Sequence, residues 1–142
     1  MDVVFWKSVA TTVVFLLAVG NVLTMLQVRG RHRLFPLRSA TLIRWHRLQG
    51  LVALVLFVGV TYYCLTEATV DPHSLRVRAH ALLGGLTLLL VAAKVAGTRW
   101  IPPLGRLLDP LGVALFLATA GTFATSALWY WLAEVLGIPI GY

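Results

Sequence analysis

Four stretches of this chain carry no charged side chain: residues 8–28, 48–66, 79–93 and 110–133. The third keeps its apolar character past Lys94 to Gly97. A helix crossing a bilayer needs about 20 mostly apolar residues, so each stretch is close to the required length. A soluble fold holding all four in one core fails on composition. Of the 142 residues, 59% are hydrophobic and only 12% charged, against about 25% charged in soluble domains. A core of this size cannot hide that much apolar surface. The expected architecture is all-α: an integral membrane four-helix bundle, one transmembrane domain over residues 1–142, with helices near 3–28, 41–66, 73–98 and 108–135.

Turn chemistry falls in the gaps. Asp71-Pro72 breaks the chain between helices 2 and 3 and can start helix 3. Pro102-Pro103 and Gly105 separate helices 3 and 4, and Asp109-Pro110 fits a cap followed by proline at the first helical position. Helix 1 reads as a retained anchor, because its dense positive charge follows the apolar run, the reverse of a cleaved leader. The lone Cys64 excludes an intrachain disulfide and a cysteine-based metal cluster.

The formal charge of +7 does not point to nucleic acid, because six of the twelve Lys and Arg residues crowd between Arg29 and Arg47, in a loop flanked by apolar spans. A basic loop beside a membrane reads as a topology signal or a lipid-headgroup contact. Arg29, Arg31, Arg33, Arg38, Arg44, Arg47, Lys94, Arg99 and Arg106 fall on one side, and Lys7, Arg76 and Arg78 on the other. Basic loops stay in the cytoplasm. Both termini are therefore expected on the outer side of a bacterial cytoplasmic membrane. Trp and Tyr favour interfaces, and Trp6, Tyr62, Tyr63, Trp129, Tyr130 and Trp131 fall at outer ends, Trp45 and Trp100 at inner ends.

Within lipid, small and polar residues mark the faces along which helices pack. Helix 3 presents His80, Gly84, Thr87, Val91 and Lys94 at steps of three and four, and helix 2 presents His46, Gly50, Ala53, Phe57 and Cys64. The Ser and Thr residues of helix 4, Thr119, Thr122 and Ser126, read as hydroxyls bonded back to their own helix. Histidine is different, since an ionisable side chain inside a span marks a functional site by default. Haem iron takes axial histidine and helix bundles hold cofactors between facing helices, so His80, with Gly84 one turn deeper, is the leading metal ligand. The plainer alternative is a buried imidazole bonded to a carbonyl or water.

His46 is the second candidate ligand, beside Trp45 and Arg47 at the inner end of helix 2. If helices 2 and 3 form an antiparallel hairpin folding near residues 71–72, His80 is level with about residue 63 and His46 with about residue 97. The two histidines then differ in depth by about 17 residues, roughly 25 Å at 1.5 Å per residue. They cannot share one iron, so binding by both requires two haems. Around His80 the candidate second ligands are Tyr63, Tyr62 and Cys64; near His46 they are Met25 and Lys94. Arg76 and Arg78 lie within a turn of His80, where they can pair with haem propionates.

The stretches Trp45-His46-Arg47-Leu48-Gln49-Gly50, Arg76-Val77-Arg78-Ala79-His80-Ala81-Leu82-Leu83-Gly84, Ala92-Ala93-Lys94 and Thr125-Ser126-Ala127-Leu128-Trp129 together resemble a largely uncharacterised family of small four-helix bacterial membrane proteins with cytochrome-b-like features. The resemblance covers residues 40–133. It implies electron transfer in general terms, with haem b as the expected cofactor, one group or, if both histidines bind, two. In that pattern helix 2 of many members ends in a His-Cys pair where this chain has Tyr63-Cys64, which removes the second axial ligand the resemblance implies opposite His80. Tyr63 then substitutes, or the haem is five-coordinate or ligated from another subunit, or none binds there.

The expected function is that of a b-type-cytochrome-like membrane subunit, an electron carrier rather than an independent enzyme. It would link a quinone or partner subunit to an outward-facing redox partner. The competing expectation is a cofactor-free structural or assembly subunit of a larger membrane complex. The partners expected are membrane lipids and other membrane or redox subunits. A phosphate-binding Gly-rich loop, a nucleophile elbow and a His-Glu-x-x-His motif are all absent from the sequence.

Overall fold

The computed structural model describes residues 3–30, 36–66, 74–101 and 106–138. They form α1 (Val3–Val28), α2 (Ser39–Thr66), α3 (Leu75–Arg99) and α4 (Leu108–Phe123). The last helix continues through two wider, π-helical turns, Ala124–Leu128 and Trp131–Val135, so that its span runs Leu108–Val135. All four spans are long and apolar enough to cross a membrane. At 1.5 Å per residue they measure about 38–42 Å, more than the roughly 30 Å of a hydrocarbon core.

The chain turns at 71–72 and 102–105 lie outside the described residues. Asp109 does not cap α4: Leu107 takes the cap position and Asp109 falls in the first helical turn. Its carboxylate instead accepts from the Arg29 guanidinium, tying the end of α1 to the start of α4.

The bundle is ordered α2–α1–α4–α3. α2 packs on α1, α3 packs on α4, and α1 joins α4. Among the described residues α2 and α3 are not a packed pair. The expected hairpin therefore holds in direction, but not as a main packing pair. The reason lies in which helices offer close-approach surfaces. Gly20 of α1 sits under Gln49 of α2, and Gly121 of α4 sits under Leu83 of α3. Phe15 of α1 stacks on Phe123 of α4 at 4.5 Å, and Trp131 donates from Nε1 to Thr12 Oγ1 at 2.9 Å.

The interior is small and hydroxylated, as expected where lipid removes the hydrophobic drive between helices. Ser8, Thr24, Thr87, Thr119 and Thr122 are buried. Thr24, Thr87, Thr119 and Thr122 each donate to a carbonyl three or four residues back, as the sequence suggests for α4, and so bury no unmatched donor. Large apolar side chains such as Leu16, Val55, Leu82, Leu89 and Leu117 point outward.

Two ends follow from this arrangement. The terminal end holds the start of α1, the end of α2, the start of α3 and the end of the last span. The basic end holds the opposite termini, with Arg29, Arg38, Arg44, Arg47, Arg99 and Arg106.

Candidate functional site

Polar side chains gather in two layers, one toward each end. In the terminal-end layer, His80 Nδ1 lies 3.3 Å from Thr125 Oγ1. The Thr125 hydroxyl proton is already directed to the Gly121 carbonyl at 2.9 Å. Its oxygen can therefore accept from His80 Nδ1, and in that tautomer Nε2 keeps its lone pair. The Thr122 carbonyl is a further polar neighbour of the ring. This pattern, a hydrogen bond at one ring nitrogen fixing the tautomer and freeing the other, is the one metal-binding histidines use.

Local sequence explains the placement. Gly121 lacks a side chain, and a Cβ there would come within 2.9 Å of Leu83. The gap lets α3 approach α4 closely enough for His80 to meet Thr125 one turn further on. Gly84, one turn from His80 on the same face, has nothing within 4 Å of where a Cβ would stand. A flat group can lie there against the backbone.

Arg76 is held in the same layer. Its guanidinium stacks 5.0 Å from the Trp129 ring and donates to the Thr125 carbonyl at 3.5 Å. It ties α3 to the last span and still places a cation beside His80. Arg78 is exposed at the terminal end. Lys7 of α1 is near enough for His80 to feel its charge.

Tyr63 stands higher than expected. Lys7 Nζ sits 5.9 Å from its ring centroid, and Tyr63 lines a cleft of about 420 Å³ between α1 and α2 with Val3, Trp6, Ala10 and Gly59. The packed pairs carry depth from helix to helix. Thr125 opposite His80 and Phe123 on Phe15 bring the level of His80 to about residue 13 of α1. Lys7 on Tyr63 and Gly20 under Gln49 bring it to about residue 57 of α2. Phe57, not Tyr63, is thus level with His80, and Tyr63 is displaced by about six residues, roughly 9 Å. A level derived from a tight turn at 71–72 misplaces Tyr63 because α4 and α1, rather than that turn, set the register of α3 against α2.

The basic-end layer contains His46 and Gln49 of α2, Asn21 of α1 and Lys94 of α3. His46 Nδ1, Gln49 Oε1 and Asn21 Oδ1 are buried without a hydrogen-bond partner. The His46 ring faces the Asn21 main-chain carbonyl and is near enough to Lys94 to feel its charge. The same register places His46 level with about residue 91 of α3. Its depth difference from His80 is then about 11 residues, or roughly 16 Å, less than the expected 25 Å yet still too great for one iron.

The structure therefore groups His80 with Arg76 and, separately, His46 with Lys94, and leaves Tyr63 on the α1 side. Among the described residues no three His, Cys, Asp or Glu side chains come together as a metal cage; a single axial histidine needs none. Thr125 and Gln49 were legible only as parts of motifs. A Gln inside a charge-free span is itself a signal, since its amide has no water to satisfy it. Gly121 and Thr125, four apart on one face, are another.

A family model described as "Family of unknown function (DUF6529)" matches residues 1–137, so the chain belongs to that family. No curated protein and no solved structure matches the chain.

Proposed function

We propose that this member of DUF6529 is a haem-b-binding subunit of the bacterial cytoplasmic membrane. It carries electrons between a quinol or a partner membrane subunit and a redox partner outside, with its terminal end facing outward. One observation carries the reading: an imidazole inside a helix seam with Nδ1 matched to Thr125, leaving an Nε2 lone pair, beside a glycine that faces open space. An ionisable side chain inside a span marks a functional site by default, and an axial ligand role uses that lone pair.

The residues present suit the group. His80 would hold the iron through Nε2. The Thr125 oxygen fixes the tautomer and raises the basicity of that nitrogen. Arg76, and Arg78 at the rim, would meet the propionates with fork-shaped donors. α2 and α3 are not a main packing pair among the described residues, and a partner subunit could supply a further ligand beside His80. Bound haem would supply a one-electron couple. The orientation rests on the nine basic residues at one end, which favour the cytoplasmic side.

The test is an optical spectrum of protein produced with haem freely available, with pyridine haemochrome quantitation. A Soret band at about one haem b per chain, lost in His80→Ala and kept in His46→Ala, supports the reading. A colourless preparation defeats it and favours a cofactor-free assembly subunit.

A further inference from the structure

Among the described residues, buried side-chain atoms without a hydrogen-bond partner gather in the basic-end layer. Asn21 Oδ1, Gln49 Oε1 and His46 Nδ1 are buried with no partner. The two amide oxygens can only accept, so the layer holds at least two buried acceptors that no donor of the chain meets. Within a membrane each unmatched group of this kind costs several kcal/mol, and whatever relieves it must bring hydrogens.

Charge narrows the occupant. Lys94 stands close to His46. No acidic side chain among the described residues shares the level: Asp109 is paired with Arg29, and Glu134 lies at the terminal end. A cation is repelled from such a place. The donor is neutral, a hydroxyl. Shape narrows it further. Gly50 lies one turn from His46 on the same face of α2, and a Cβ there would find nothing within 4 Å. Gly50 is exposed on that face of α2, open to a molecule arriving from the bilayer. A flat ring carrying hydroxyls and delivered from the bilayer matches all three conditions.

We propose that Asn21, His46 and Gln49 form a docking site for the headgroup of a membrane-soluble quinol, its ring against Gly50 and its two hydroxyls donating to the open amide oxygens of Asn21 and Gln49. The choice of a quinol rests on the electron-carrier reading above; the binding itself does not require haem.

The experiment uses the full chain in lipid nanodiscs and two probes under anaerobic conditions: decylubiquinol and its di-O-methyl ether, which has the same ring and tail but no donors. Quenching of tryptophan emission, to which Trp45 beside His46 contributes, reports binding. Saturable quinol binding is expected. It should be about ten-fold or more tighter than that of the ether, the loss that accompanies an unmade hydrogen bond in a desolvated site. Gln49→Met and Asn21→Leu should each weaken the quinol by a similar factor and leave the ether unchanged. His80→Ala should leave quinol binding intact, so a failure of the haem reading does not register here. Equal affinity for quinol and ether, no saturable quinol binding, or full affinity in Gln49→Met would each overturn the proposal. Should Asn21→Leu fail to fold, the Gln49→Met comparison decides alone.

Discussion

At the terminal end His80 meets Thr125, Arg76 meets Trp129 and the Thr125 carbonyl, and Trp131 meets Thr12. At the basic end, an equivalent set of polar side chains sits equally deep between helices, yet three of its atoms meet nothing. Both layers are built from residues that lipid penalises. The terminal-end layer resolves the penalty within the chain and leaves one nitrogen to spare. The basic-end layer leaves three buried atoms without a hydrogen-bond partner. Helix pairing explains the difference. α3 and α4 converge over Gly121, so their polar faces interlock. α2 packs chiefly on α1 among the described residues, and its polar face is not interlocked in the same way.

The sharpest way to break this comparison is to fill the open space beside His80 without touching the packing. Gly84→Leu adds a side chain where nothing lies within 4 Å. It should abolish the Soret band while leaving the thermal unfolding midpoint of the detergent-purified protein near that of the parent. Retained haem would mean the group does not lie over Gly84.

Gly121→Leu attacks the convergence itself. The new side chain collides with Leu83, and overpacking of this kind costs about 1–3 kcal/mol. A denaturant titration followed by circular dichroism should show that loss together with loss of haem, since α3 can no longer present His80 to Thr125. A null result would show that Leu83 turns aside and that Gly121 does not set the approach.

A matched pair of polar-to-apolar changes reads the two layers against each other. Thr125→Val removes the acceptor of His80 and should lower stability by about 1 kcal/mol. Gln49→Met removes an acceptor that has no partner, and in lipid free of quinol it should raise stability by a similar amount, about 1 kcal/mol. Equal losses from both, measured by the same titration, would show that the basic-end acceptors are matched within the chain.

The smallest effect belongs to the ion pair between Arg29 and Asp109. Both groups are substantially exposed, and such pairs contribute about 0–1 kcal/mol. Asp109→Asn should cost no more than that, and the difference should fade at high salt.

Much of this architecture is legible in the residues alone. Charge-free runs locate four spans, because charge is what lipid rejects. The hydroxyls of helix 4 bond to their own helix as their spacing suggests. His80 and Lys94 share one face of α3 at steps of three and four. Packing order is not legible, because glycine contacts at Gly20 and Gly121 select neighbours that connection order does not. Depth suffers for the same reason: Tyr63 and His80 are brought level only if the 71–72 turn sets the register, whereas Phe57 takes that level once α1 and α4 do. The tautomer of His80 is illegible too, since it follows from a Thr125 hydroxyl whose own proton is committed to Gly121.

The central claim, that Nε2 of His80 is left vacant for iron, is tested most directly by cavity rescue. His80→Gly, purified from haem-replete cells, should lack the Soret band of the parent protein, and added imidazole with haem b should restore a band with the parent's axial-ligand signature in magnetic circular dichroism. An unaltered haem spectrum in His80→Gly without imidazole, or a parent protein that takes up no haem under the same conditions, would contradict it.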